Sequence, residues 1–288
     1  MSEPISLLDA LLMAGPHIVA FDTGRYLIAA SLMAAIVWLL MRSDWRSRKI
    51  QARVAQSSDY RRELLLSLRT ALIFAGVGVV TYWAHRNGWL ADGDDDASVY
   101  VQVAFVAATV IAHDAYFYWT HRMMHHPRLF RSFHRTHHRS ITPTPYAAYA
   151  FAVPEAFVMA VFMPLWLLVV PMPGVATFSF LAIMIIRNVM GHVGLELHAR
   201  GWASHPLLRW VTTTTHHDLH HAGGFNHNYG FYFTFWDKLV RTEHPDYVRI
   251  YDEVTAKPER RDVPRLPGRV VMGGLLVAAL PAAAALFV

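Results

Sequence analysis

Apolar residues in this chain come in long runs, divided by stretches dense in charge and histidine, with no sustained two-residue alternation of a half-buried strand. Five runs cover residues 26–41, 64–84, 99–119, 157–170 and 175–190, and a sixth, 270–288, closes the sequence. A helix crossing a bilayer needs about 20 apolar residues, so the runs predict membrane spans. The leading "SLLDALLMAGPHIVAF" lacks the basic start of a cleaved signal peptide and predicts an interfacial helix entering the first span. Residues 157–190 read as a hairpin turning at "PMPG". The predicted fold class is all-α, a multi-pass transmembrane helical bundle.

The pattern divides the chain in three. Residues 1–98 form a membrane anchor of two spans and a basic connector. Residues 99–245, where apolar runs alternate with histidine-dense stretches, are expected to form the functional unit. Residues 246–288 begin as a proline-containing polar linker and end in an Ala- and Gly-rich span suited to close helix packing.

Composition supports the membrane reading, since 54% of residues are hydrophobic and 16% charged, too few charges to cover a water-soluble surface. The position of the charge matters more than the net +5. Residues 42–63 hold seven Lys/Arg against three acids, and residues 121–145 hold five Arg and no acid, whereas "ADGDDDAS" at 91–98 is acidic. Basic loops stay in the cytoplasm, which puts every histidine cluster on the cytoplasmic side. Between apolar spans these loops read as topology signals, and no nucleic-acid partner is expected.

The absence of cysteine excludes disulfides, thiolate metal sites and iron–sulfur clusters. Nitrogen is abundant instead, in 18 histidines. His121 and His125 are four apart and share a helix face. His134, His137 and His138 follow i, i+3, i+4 spacing, and His217, His220 and His221 repeat it. Neutral imidazole is a good ligand for iron, zinc or copper. Eight rings exceed what one ion can use, so the pattern predicts two ions held almost wholly by imidazole. His192 is a ninth candidate. His198 and His113 are less certain ones, His113 being eight residues, about 12 Å along a helix, from His121. His126 and His216 adjoin ligands but point elsewhere. A ligating histidine needs a partner on its other nitrogen, for which Asp114, Asp218 and Asn188 are the candidates.

"HDAYFYWTHRMMHHPRLFRSFHRTHH" and "TTTTHHDLHHAGGFNHNYGFYFTFWDKLVRT" resemble the histidine boxes of the fatty acid hydroxylase/sterol desaturase superfamily, over about residues 110–243. The order His-x3-His, His-x2-His-His, His-x2-His-His falls on His121/His125, His134/His137/His138 and His217/His220/His221. Asn228, Gly230, Trp236 and Asp237 resemble the family's closing segment. The resemblance implies a membrane bundle under a cytosolic, histidine-rich helical cap, with two non-haem iron ions between them. It further implies O2 as co-substrate, hydroxylation or desaturation of a lipid C–H bond, and a lipid drawn from the bilayer. Zinc is an expected substitute on purification. With no electron-transfer module visible, electrons must come from a separate donor, a ferredoxin or a cytochrome b5-like protein with its reductase. Tyr116, Phe117, Trp119, Phe231, Phe233 and Phe235 read as an interfacial belt or as the lining of a lipid channel. The alternative function is a histidine-rich membrane metal-binding or transport protein, for which ligands near the bilayer midplane would be expected.

Overall fold

The computed structural model describes residues 3–223 and 225–256. Its long helices are α1 (Leu7–Leu40), α2 (Ser57–Arg86), α3 (Val99–Met124) and α7 (Gly174–Gly191), all apolar and long enough to cross a membrane. Between α3 and α7 lie three short helices, α4 (Pro127–Phe133), α5 (Val153–Ala160) and α6 (Phe162–Leu167). After α7 come α8 (Thr214–Ala222), α9 (Phe235–Val240) and α10 (Tyr247–Thr255). Among the described residues β-structure amounts to two isolated bridges.

Helix α1 starts at a capping box, in which the Ser6 hydroxyl accepts from the Asp9 N–H while the Asp9 carboxylate accepts from the Ser6 N–H. It runs unbroken through Pro16, so the interfacial segment and the first span are one helix. Small residues one turn apart, Ala30 and Ala34, are buried and let neighbouring backbone approach closely. The Trp83 indole and the Asn87 amide at the end of α2 both donate to the Ile5 carbonyl, which makes α1 and α2 antiparallel.

Two features differ from expectation. The first limb of the 157–190 hairpin is broken into α5 and α6, because Pro164 lacks the N–H that would bond the Ala160 carbonyl across the junction. It still returns the chain to the far end of the bundle, where the Ala91 N–H donates to the Leu167 carbonyl. The second is α10, which lies within the expected linker and buries Tyr247 and Tyr251. The expected span 270–288 falls outside the described residues.

Both α3 and α7 start at that far end, where the Gly174 N–H donates to Asp95 just ahead of α3. Both end among the histidines. Helix C-termini carry partial negative charge, so the bundle directs two of them at a place suited to cations.

Candidate metal centre

Four separate segments supply the histidines. His121 lies in the last turn of α3 and His125 just past it. Pro127 at the first position of α4 forces a new helix start, and His126 caps it by accepting the Arg128 N–H at Nδ1. His134 follows the end of α4, and His137 and His138 sit in a 3-10 turn, so 134–138 is not the single helix face the spacing suggested. His192 terminates α7, and α8 carries His217, His220 and His221.

The fold brings all nine of these rings together in two groups. One holds His121, His125, His134, His138 and His220, the other His137, His192, His217 and His221. Within each group one nitrogen per ring lies within 4.8 Å of all the others, and every ring is buried. Each adjacent pair is divided: His138 and His220 join the first group while His137 and His221 join the second.

Hydrogen bonds fix the tautomers of four of these rings. Nδ1 of His121 donates to the Tyr229 carbonyl at 3.0 Å, Nδ1 of His192 to the Asn188 carbonyl at 2.7 Å, and Nδ1 of His220 to the His227 carbonyl at 2.7 Å. A carbonyl only accepts, so the proton sits on Nδ1 and Nε2 carries a lone pair. Nδ1 of His134 lies 2.6 Å from the Glu155 carboxylate, with the same consequence. Nε2 of His121 and Nε2 of His134 nevertheless face each other at 2.9 Å. Nε2 of His192 lies 3.2 Å from that of His137 and 3.1 Å from that of His217. Facing lone pairs repel unless a cation lies between them. Two nitrogens bonded at about 2.1 Å to one first-row ion, at a right angle, sit about 3 Å apart. The donor set and its spacing fit two such ions.

Burial, partly offset by the bond to the Asn188 carbonyl, pushes His192 down to about 4. Burial and the surrounding imidazoles hold His134, His137, His138, His217, His220 and His221 well below the ordinary value. All are neutral at physiological pH, the state in which imidazole ligates.

The remaining candidates lie elsewhere. His198 is held by Glu196, which accepts from both its backbone N–H and its ring. His113 bonds the Tyr232 hydroxyl at 3.2 Å and packs edge-on to Phe162, Phe180 and Phe231, outside both groups. Neither aspartate bonds a grouped histidine. Asp114 accepts the N–H groups of Tyr232 and Phe233, fixing the chain after α8, and Asp218 accepts from Gln51. Asn188 bonds His192 through its backbone carbonyl, while its side chain donates to Ala148. The acidic partner is Glu155, which spacing missed. Its signal was a carboxylate in an otherwise apolar stretch, "FAVPEAFVMAVF", where an ionisable side chain needs a reason.

The closing segment braces this arrangement. Asp237 accepts the N–H groups of Tyr229 and Gly230 and the Thr242 hydroxyl, and so sets the carbonyl that holds His121. Burial lifts its carboxyl to about 6 against those bonds. His216, pushed down to about 3 by burial, faces Asp237 at 3.5 Å as a neutral ring rather than an ion-pair partner. Asn228 adopts left-handed backbone (φ 59°), tolerated by Asn, and ties the His216 carbonyl to the His244 N–H.

A cavity of about 570 Å³ lies within the helix bundle, walled by α1, α2, α3, α6 and α7. Phe117 and Phe151 form its histidine end, their rings 5.0 Å from His121 and 5.3 Å from His137. Of the six aromatics singled out in the sequence, Phe117 and Phe231 line it. Trp119 and Phe235 are exposed.

Residues 106–242 match the family model described as fatty acid hydroxylase. A Delta(7)-sterol 5(6)-desaturase of Leptosphaeria maculans is 31% identical over 49% of this chain and 36% of its own. A Delta(7)-sterol 5(6)-desaturase of Aspergillus fumigatus is 28% identical over 76% of this chain and 62% of its own. The lathosterol oxidase of Mus musculus is 29% identical over 55% of this chain and 48% of its own. The chain thus spans less than two thirds of the length of these relatives. No solved structure matches it significantly.

Proposed function

Since the chain belongs to the fatty acid hydroxylase/sterol desaturase superfamily through residues 106–242, we propose that it is a membrane di-iron oxidase that uses O2 to hydroxylate or desaturate a C–H bond of a lipid. The supporting observation is the pair of buried imidazole groups whose ring nitrogens face one another about 3 Å apart. His121, His125, His134, His138 and His220 would hold one ion, and His137, His192, His217 and His221 the other. Bound iron, reduced by an external donor, supplies the redox chemistry with O2 that no amino-acid side chain offers.

The chain's own residues do the rest. Glu155 and the carbonyls of Tyr229, Asn188 and His227 keep the rings of His134, His121, His192 and His220 turned with a lone pair inward. The cavity has the size of a small-ligand site, and it would bring a lipid chain up to the Phe117–Phe151 layer while keeping water out. Exposed Arg128, Arg131 and Arg135 lie in the segment that carries the histidines and would attract an acidic electron carrier of the ferredoxin or cytochrome b5-like type. Topology by the basic loops places this face in the cytoplasm.

The test is metal analysis of freshly purified protein together with lipid analysis of cells with and without it. The relatives' names put Delta(7)-sterols and lathosterol first among lipids to assay. About two irons per chain are expected, with a lipid that gains one oxygen or loses two hydrogens. His137→Ala and His220→Ala should lose both iron and product. Active protein carrying no metal ion would refute the reading.

A further inference from the structure

An ion pair sits inside the lipid cavity, at mid-length of α1. Arg25 bonds Asp22 through Nε and Nη2, both at 2.8 Å and both to Oδ1, and the pair is nearly buried, at 12% and 10% side-chain exposure. Charge at this depth in a membrane protein is costly, and its presence asks for a function. Two polar groups beside it are unfilled. Asp22 Oδ2, on the side of Gly78, takes no hydrogen bond among the described residues. The Tyr149 hydroxyl, on a side chain 1% exposed, has no partner either, although a buried tyrosine normally finds one. Tyr149 lines the same cavity, stacks on Tyr26 one turn beyond Asp22, and feels the charge of both Arg25 and Asp22.

We propose that Asp22, Arg25 and Tyr149 form the polar-end site of the cavity and hold the hydroxyl of a lipid alcohol. This deepens, and rests on, the lipid-oxidase reading. A hydroxyl donates to Asp22 Oδ2 and accepts from Tyr149, filling both vacancies. A carboxylate has no proton to donate, and carboxylate and phosphate alike are repelled by Asp22, while Arg25 is already neutralised. A bare hydrocarbon leaves both groups unpaired in an apolar cavity. The site also sets a length. Arg25 reaches the Leu181 carbonyl, and α7 continues from there to Gly191 beside His192, about 15 Å at 1.5 Å per residue. Along α7 the Arg25 end of the site therefore stands about 15 Å of helix rise from the histidine end.

The experiment measures binding to the full-length, metal-loaded protein by native mass spectrometry from detergent. Two matched pairs are compared, cholesterol with cholest-5-ene and hexadecan-1-ol with hexadecane, and hexadecanoic acid is the anionic control. At least one alcohol should bind about tenfold tighter than its hydroxyl-free partner and tighter than the acid. Asp22→Asn and Tyr149→Phe should each reduce that preference to about twofold, with hydrocarbon binding and iron content unchanged. A merely structural ion pair would alter stability and leave the preference alone. Preference for neither alcohol, preference surviving in both variants, or tightest binding of the acid overturns the proposal. Which pair shows the preference separates a sterol from a linear alcohol. Alcohol preference without any oxidation product refutes the oxidase and leaves the site standing; product with preference unchanged in the variants refutes the site alone.

Discussion

At the scale of single residues, the decisive feature is the nitrogen of each ring that faces away from its group. Glu155 is the one acid that bonds a grouped histidine among the described residues, and it reaches His134 across 21 positions of sequence. Glu155→Gln keeps the shape and removes the charge that makes His134 a strong donor. Metal affinity should fall about 10- to 100-fold, read by competition with a chelator, while Glu155→Asp should lose more by withdrawing the carboxylate from Nδ1. Unchanged affinity in the Gln variant would show that the carboxylate is not tuning the ligand. Which histidines meet was readable in the chain, because histidine pairs recur at one-turn spacing. Their outer partners were not readable. Three are backbone carbonyls, which every residue has, and the fourth is far away in sequence.

At the scale of elements, the approach of α7 to α8 determines whether the second group closes. A Cβ placed on Gly191 would lie 3.3 Å from Cδ2 and 3.6 Å from Cγ of His217. Gly191→Ala should push that ring outward at a cost of about 1–3 kcal/mol. The iron content should drop from about two towards one per chain, since the five histidines of the first group do not touch this position. Full loading of the variant would mean that the ring has room to yield. The apolar runs foretold α1, α2, α3 and α7, because an intramembrane helix must be apolar over most of its circumference. They misled over α5 and α6, where hydropathy is continuous but proline interrupts the hydrogen bonding. Over 134–138 the spacing promised one helix face. The chain instead turns sharply, because neighbouring rings must serve different groups.

At the scale of the whole molecule, the four segments that carry the grouped histidines lie at one end of the bundle and the acidic loop 91–98 at the other, which converts the charge bias into a testable orientation. The helix directions agree with it. The ends of α1, α3 and α7 and the start of α2 share the histidine end, since Met41, near the end of α1, packs with Val193 and Leu195, while Glu63, in the second turn of α2, bonds Thr144. A chain without cysteine makes the orientation easy to read, because any introduced thiol is the only one present. Asp94 and Ser132 are both exposed, at opposite ends of the bundle. In intact cells a membrane-impermeant maleimide should label Asp94→Cys and spare Ser132→Cys, which should react only after permeabilisation. An electron carrier and NAD(P)H-linked reductase in the cytoplasm would then reach the metal face directly. The reverse labelling pattern would put the centre on the outer face and remove every cytoplasmic donor from consideration.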